Sequence, residues 1–286
     1  MSHREPIKSG DFSLGLTHEF INAFGRRDGN PKMLQRLTEN PVLMHRIVQC
    51  MKADGVFYPY SAKESEAVEI LGPDKILNPS LTLLAWPDAK QVKNPLIPYS
   101  VETLMSCAEM TKENSGRYDW RLVYVHGFSF CEQKKYHENH FESGPESVKR
   151  FWKENRKAEW MTFSFPSGYY LINHELMFTG GKDCRKAQDD FVQKNNTKFA
   201  RLPISVLSEI LISQYYAFGG EKHVPTYRYW SEQVSASGNF VTLGAKLSGD
   251  VNKRYLEINI HDEIPGSPRY GGTHGLIIYQ KPETSE

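Results

Sequence analysis

The stretch PISVLSEILISQYYAFGG, residues 203–220, carries the strongest helix signal of the chain. Pro203 suits a first helical turn, where its missing N–H is not needed, and Gly219-Gly220 supplies the stop. Ile204, Val206, Leu207, Ile210, Leu211, Tyr215 and Phe218 cover most of the circumference, so the helix is expected to be packed on nearly every side. Such a helix needs partners, and the sequence around it reads as strands. Downstream come TYRYWSEQV, NFVTLGAKL, YLEINIHDE and HGLIIYQKP, with a turn at Ser235–Asn239 between the first two. Upstream, RLVYVHGF (121–128), EWMTFSF (159–165) and GYYLINHELMF (168–178) are strand candidates, the last two joined at Pro166-Ser167 as a hairpin or bulged turn. Helices are expected over 144–157, with Val148, Phe151 and Trp152 inward, and over 182–195. The combination predicts an α+β protein, with an antiparallel sheet in its second half and helices packed on it.

The first hundred residues differ. Thr17 caps a helix through Phe20, Ile21 and Phe24, and Asn30-Pro31 and Asn40-Pro41 each open another, the second with a stripe of Leu43, Met44, Ile47, Val48 and Met51. Ser61 and Glu64 form a capping box, and that helix stops at Leu71-Gly72-Pro73; Ser100 caps one more. The Pro-rich connector WPDAKQVKNPLIPYS, 86–100, divides the chain into a helical N-terminal module, 1–95, and an α+β domain, 96–286.

A formal net charge of +1 on 286 residues gives no electrostatic footprint for nucleic acid or an anionic membrane, and neither is expected as a partner. MSHREPIKSGDF lacks the apolar core of a signal peptide, and the longest apolar runs, such as LTLLAW at 81–86, are too short to span a bilayer. Cys50, Cys107, Cys131 and Cys184 are widely spaced, with no CxxC, which fits reduced thiols. A soluble, cytoplasmic protein is the expectation.

HENHFE, 137–142, brings two histidines and two carboxylates together. A zinc-protease helix needs its histidines four apart, on one face with the Glu beside the metal-bound water; here the second is His140, and Phe141 holds the fourth position. The surrounding KKYHENHFESG is almost uniformly polar, so an exposed loop is predicted, with no metal and no cofactor. The other cluster is INIHDEIPGSPRYGGTHG, 258–275, with His261, Asp262, Glu263 and His274; its four glycines and two prolines let the backbone approach a ligand closely. There is no GxSxG, no GxxxxGK[ST] and no GxGxxG, and Cys131 reads as an incidental thiol. Tyr227 and Tyr229 point to the face of a strand opposite Trp230, so these three read as sheet packing.

The order of motifs resembles a family of uncharacterised proteins common in candidate-phyla bacteria with very small cells. The likeness lies in EFINAFGRRDGNPKMLQRLTENPVLMHRIV, IPYSVETLMSCAEM, PSGYYLINHE, RLPISVLSEILISQYYAFGGEKH, YRYWSEQVSASGNFVTLGAKL and HGLIIYQKP. The resemblance implies a C-terminal part similar to the C-type-lectin-like, sulfatase-modifying-factor fold. It places a ligand surface on the segment Leu247 to Gly272, which in this chain contains no Trp. The first expectation is therefore a non-catalytic scaffold binding an unknown protein or small molecule through Asn252, Arg254, His261, Asp262, Glu263, Arg269, Tyr270 and His274. The alternative is an enzyme with a pocket between sheet and helices, using His174, Glu175, His261 or Asp262 as acid and base. A third possibility makes the N-terminal helices a docking site, through Leu43, Ile47 and Met51.

Overall fold

The computed structural model describes Lys32 and Gln35 and residues 61–72, 75–90, 92, 95–141, 146–175, 177–178, 184–218, 227–248, 255–263 and 275–283. The helices expected over 17–51 lie outside these residues apart from the first two positions. The chain divides into two compact units, Met1–Gly55 and Val56–Glu286, and the following concerns the second.

Helix α1 (Ala62–Leu71) opens on the anticipated capping box: the Glu64 amide donates to Ser61 Oγ at 3.2 Å, and the Ser61 amide to Glu64 Oε2 at 2.6 Å. Strand β1 (Ile76–Leu77) and the short helix α2 (Pro79–Thr82) follow, then α3 (Val101–Glu113) and β2 (Trp120–Val125). Next come α4 (Phe130–Tyr136), a 3-10 turn (Glu138–His140), α5 (Glu146–Asn155), α6 (Glu159–Thr162) and β3 (Gly168–Asn173). The remainder is α7 (Cys184–Lys194), β4 (Phe199–Arg201), α8 (Ile204–Phe218), β5 (Tyr227–Val234), β6 (Phe240–Ser248), β7 (Tyr255–Glu263) and β8 (Ile278–Gln280).

Two sheets form. The first has the order β1-β2-β3-β8-β4, antiparallel except for the β1–β2 pair. The second is an antiparallel meander, β5-β6-β7. Strand β2 is apolar on both faces: Trp120, Leu122 and Tyr124 pack with Ala67 of α1 and Leu104 and Cys107 of α3, while Val123 and Val125 pack with α8. The same α8 core takes in Val241, Leu243, Leu256, Ile258 and Ile260 of the second sheet. An α+β architecture results, in which α8 fills the space between the sheets, as its near-continuous apolar surface requires.

Two expectations change. Residues 159–165 are not a strand; helix α6 brings the neighbours Trp160 and Met161 into one core cluster, which strand alternation would split. With that strand gone there is no hairpin across Pro166-Ser167, and β3 pairs instead with β2 in register Trp120↔Asn173 to Val125↔Gly168. Within the second unit the connector packs into the core. Trp86, Ile97 and Tyr99 are buried; Trp86 Nε1 donates to Ser213 Oγ of α8 at 2.9 Å, and the Tyr99 hydroxyl to the Gln280 carbonyl at 3.1 Å. Leu77 of β1 and Leu81 of α2 join the same core.

Gly127 closes the turn after β2 with φ +83°, and a Cβ there would collide with the Phe165 carbonyl oxygen. Gly127→Ala is expected to cost about 2–4 kcal/mol in urea unfolding. A wild-type midpoint for this variant would show that the close approach is not maintained.

Candidate functional site

The C-terminal end of α5, helix α6 and the far end of β5 enclose a cleft of about 630 Å³. Its walls are fixed locally. Asn155 donates through Nδ2 to the Phe151 carbonyl at 2.9 Å, closing the last turn of α5, and its Oδ1 accepts from the Ala236 amide at 2.8 Å. This ties α5 to the β5–β6 turn, which is itself closed by the Ser235 amide on the Asn239 carbonyl at 2.8 Å. Trp160, Phe163 and Phe165 make its aromatic lining, and Glu232, Gln233 and Val234 contribute from β5. Ile204 and Ser205, at the start of α8, also line it, with Glu154 and Glu159. Trp160 is backed by the core rings of Phe130 and Phe151, at 6.1 and 6.2 Å between centroids. Phe163 and Val234 remain 46% and 47% exposed.

Two buried atoms in this cleft lack hydrogen-bond partners: the donor Trp160 Nε1 and the acceptor Gln233 Oε1. Leaving such groups unmet typically costs about 1–3 kcal/mol each. Both atoms are shielded from solvent, so a ligand in the cleft meets them only after the two side chains turn them toward it. Neither residue stood out in the sequence. The available signal was the aromatic content of EWMTFSF, masked there by its strand-like look.

Of the candidates proposed from sequence, His174 and Glu175 are not part of this lining. His174 is 6% exposed; its Nε2 meets Gln214 Oε1 of α8 at 2.9 Å, and its Nδ1 lies 3.8 Å from Asp119 Oδ2. Asp119 receives Lys75 Nζ at 2.8 Å and Arg121 Nη2 at 2.6 Å. Burial opposes its ionisation, yet these two cations hold its carboxyl below the usual carboxylate range. The group locks β2, β3 and α8 together, and none of its members lines the cleft. Glu175 follows His174, its amide on Asn173 Oδ1 at 3.3 Å. His261, Asp262 and Glu263 belong to β7, opposite Thr242, Val241 and Phe240. Asn252, Arg254, Arg269, Tyr270 and His274 lie outside the described residues.

HENHFE is corrected. Its described residues are not an exposed loop: His140 and Phe141 are 5% and 3% exposed, while Glu138 and Asn139 face outward. His137 Nε2 meets the Ala85 carbonyl at 2.8 Å, and His140 bridges the Leu256 carbonyl at 2.8 Å and the Tyr216 hydroxyl at 3.1 Å. Both rings sit among Trp86, Tyr215 and Tyr216. A polar composition hid the burial because each imidazole finds a backbone carbonyl. Among the described residues no three His, Cys, Asp or Glu side chains come together as a metal-ligand set. Cys107 and Cys131 are free thiols. Tyr229 is buried, its hydroxyl on the Leu202 carbonyl, in keeping with sheet packing.

Glu209 went unnoticed in the sequence, although it is the only charged residue in 203–220. It is 1% exposed, and its carboxylate accepts from three consecutive amides, His126, Gly127 and Phe128, the last two at 3.2 and 3.0 Å. Burial pushes its pKa up to about 8, against the pull of those amides.

Burial lowers His126 to about 4 and His137, with the charge of His140 adding, to about 4; burial also lowers His140 and His174, with Arg121 adding for the latter. The unfolded chain takes up protons near pH ~6.5 that the folded protein refuses, so stability falls as pH drops below that value. Glu209 acts oppositely: folded, it keeps its proton to about 8, so its contribution declines as pH rises from the unfolded value toward 8. Four imidazoles outweigh one acid below pH ~6.5, and above it Glu209 alone remains. The urea midpoint should be highest near pH ~7 and fall steeply toward pH ~5 as the unfolded imidazoles take up protons. Glu209→Gln should lower stability, since an amide NH2 would face backbone N–H groups, and should flatten the alkaline limb. A wild-type alkaline limb that is already flat would contradict the assignment to Glu209.

Among the described residues no helix is long and apolar enough to cross a membrane. No family model, no curated protein and no solved structure matches the chain, so the likeness to the candidate-phyla proteins and their lectin-like part rests on its motifs alone.

Proposed function

We propose that the protein is a non-catalytic binding protein whose recognition site is the cleft between α6 and β5, and that its ligand presents an amide, as a peptide does. The observation that carries this is the buried pair of unmet groups, Trp160 Nε1 and Gln233 Oε1. Once turned toward the cleft, the first would donate to an amide carbonyl and the second would accept from an amide N–H, the two functions that a peptide unit carries. The volume of about 630 Å³ lies within the usual range of small-ligand pockets. The lining contains no histidine, cysteine or lysine, so no imidazole, thiol or amine is available there as base or nucleophile. The catalytic alternative is weaker on geometry: His174 is enclosed, with its Nε2 engaged by Gln214.

The test is the ¹⁵N–¹H signal of the Trp160 indole, assigned with Trp160→Phe, during titration with capped single-residue amides. A saturable shift of that signal is expected, lost in Gln233→Leu. An unmoved indole with every capped amide would refute the proposal.

A further inference from the structure

Every ionisable side chain lining the cleft is a carboxylate: Glu154, Glu159 and Glu232. Their compensation within the protein is thin. Glu154 meets Arg150 at 3.6 Å, but both are largely exposed, at 54% and 75%. Glu232 lies 3.8 Å from Arg201 Nε, while that guanidinium is engaged by Asp189 at 2.7 Å and by the Trp230 carbonyl at 2.9 Å. Glu159 has no cationic partner among the described residues. Lys153, Arg156 and Lys157, close by in sequence, are not part of the lining. The same lining holds the aromatic residues Trp160, Phe163 and Phe165, the last two edge to face at 4.9 Å. Carboxylates concentrate positive charge in a cleft, and aromatic faces attract cations and cover aliphatic stems.

Resting on the peptide reading above, we infer that the cleft selects a basic residue: a lysine or arginine whose own peptide unit meets Trp160 and Gln233, whose stem lies on the aromatic wall, and whose charge reaches Glu159 and Glu232. An acidic or neutral side chain leaves the carboxylates unanswered.

The full-length protein is titrated with N-acetyl-lysine N-methylamide, the arginine equivalent, the uncharged isostere N-acetyl-norleucine N-methylamide, and N-acetyl-glutamate N-methylamide, following the Trp160 indole. The basic probes should bind about tenfold tighter than norleucine, with the advantage shrinking in high salt. Glutamate should bind weakest. Glu159→Gln should reduce lysine affinity roughly threefold and leave norleucine unchanged. Glu232→Gln should do the same, with its urea midpoint showing whether Arg201 has been disturbed; Glu159→Gln, free of that contact, decides the matter if it has. Equal saturable binding of lysine and norleucine would overturn the charge selection while leaving the amide site standing. No binding of any probe would overturn both.

Discussion

A helix buried on all sides can keep polar side chains only where each finds a partner, and α8 depends on this at four places. Ser208, Glu209, Ser213 and Gln214 are all at most 1% exposed. Gln133 of α4 accepts from Ser208 Oγ at 2.5 Å and donates to the Ser205 backbone carbonyl at 2.7 Å. Glu209 takes the amides after β2, Ser213 takes the Trp86 indole, and Gln214 meets His174 beyond β3. Hydrophobic burial drives α8 into the middle, but it is non-directional; the four side-chain contacts set the rotation of the helix and the placement of four segments around it. The cleft inherits this order, since Ile204 and Ser205, at the start of the same helix, help line it.

The balance of apolar and polar explains what the sequence disclosed. Periodicity exposed α8, β2 and the β5–β6–β7 meander because each is long and regular. It failed for EWMTFSF, where an aromatic run of strand type is wound into one helical turn by the demand that Trp160 and Met161 reach the same core. It overlooked α4, although Ser129 and Glu132 form a capping box like the one recognised at Ser61. Strands of two or three residues, β1 and β4, carry too little pattern to register. The site was less legible than the fold. Histidines drew attention as chemistry, yet His137, His140 and His174 are spent on internal contacts. The groups that make the cleft, an indole and a side-chain amide, are common residues whose significance lies in the partners they lack, which is a property of three dimensions.

Charge is likewise allotted by location. Around α7, Arg185 donates to the Ser231 carbonyl and Arg201 to the Trp230 carbonyl, at 2.7 and 2.9 Å, so the outer edge of β5 is covered there by guanidinium groups. The cover ends where β5 bends at the irregularity between Trp230 and Val234, and beyond it the strand forms a wall of the cleft. One strand thus serves as a capped edge over part of its length and as a ligand wall over the rest.

Strand β8 occupies an inner position of the first sheet, between β3 and β4, though it is the last strand in sequence. Until residue 280 has been synthesised, β3 and β4 face an empty slot with their backbone groups unpaired. The Glu283 carboxylate, which receives Ser100 Oγ at 2.9 Å and Thr103 Oγ1 at 2.6 Å, closes the N-terminal end of α3 only after that. A nascent chain halted before β8 would present two open strand edges to its neighbours.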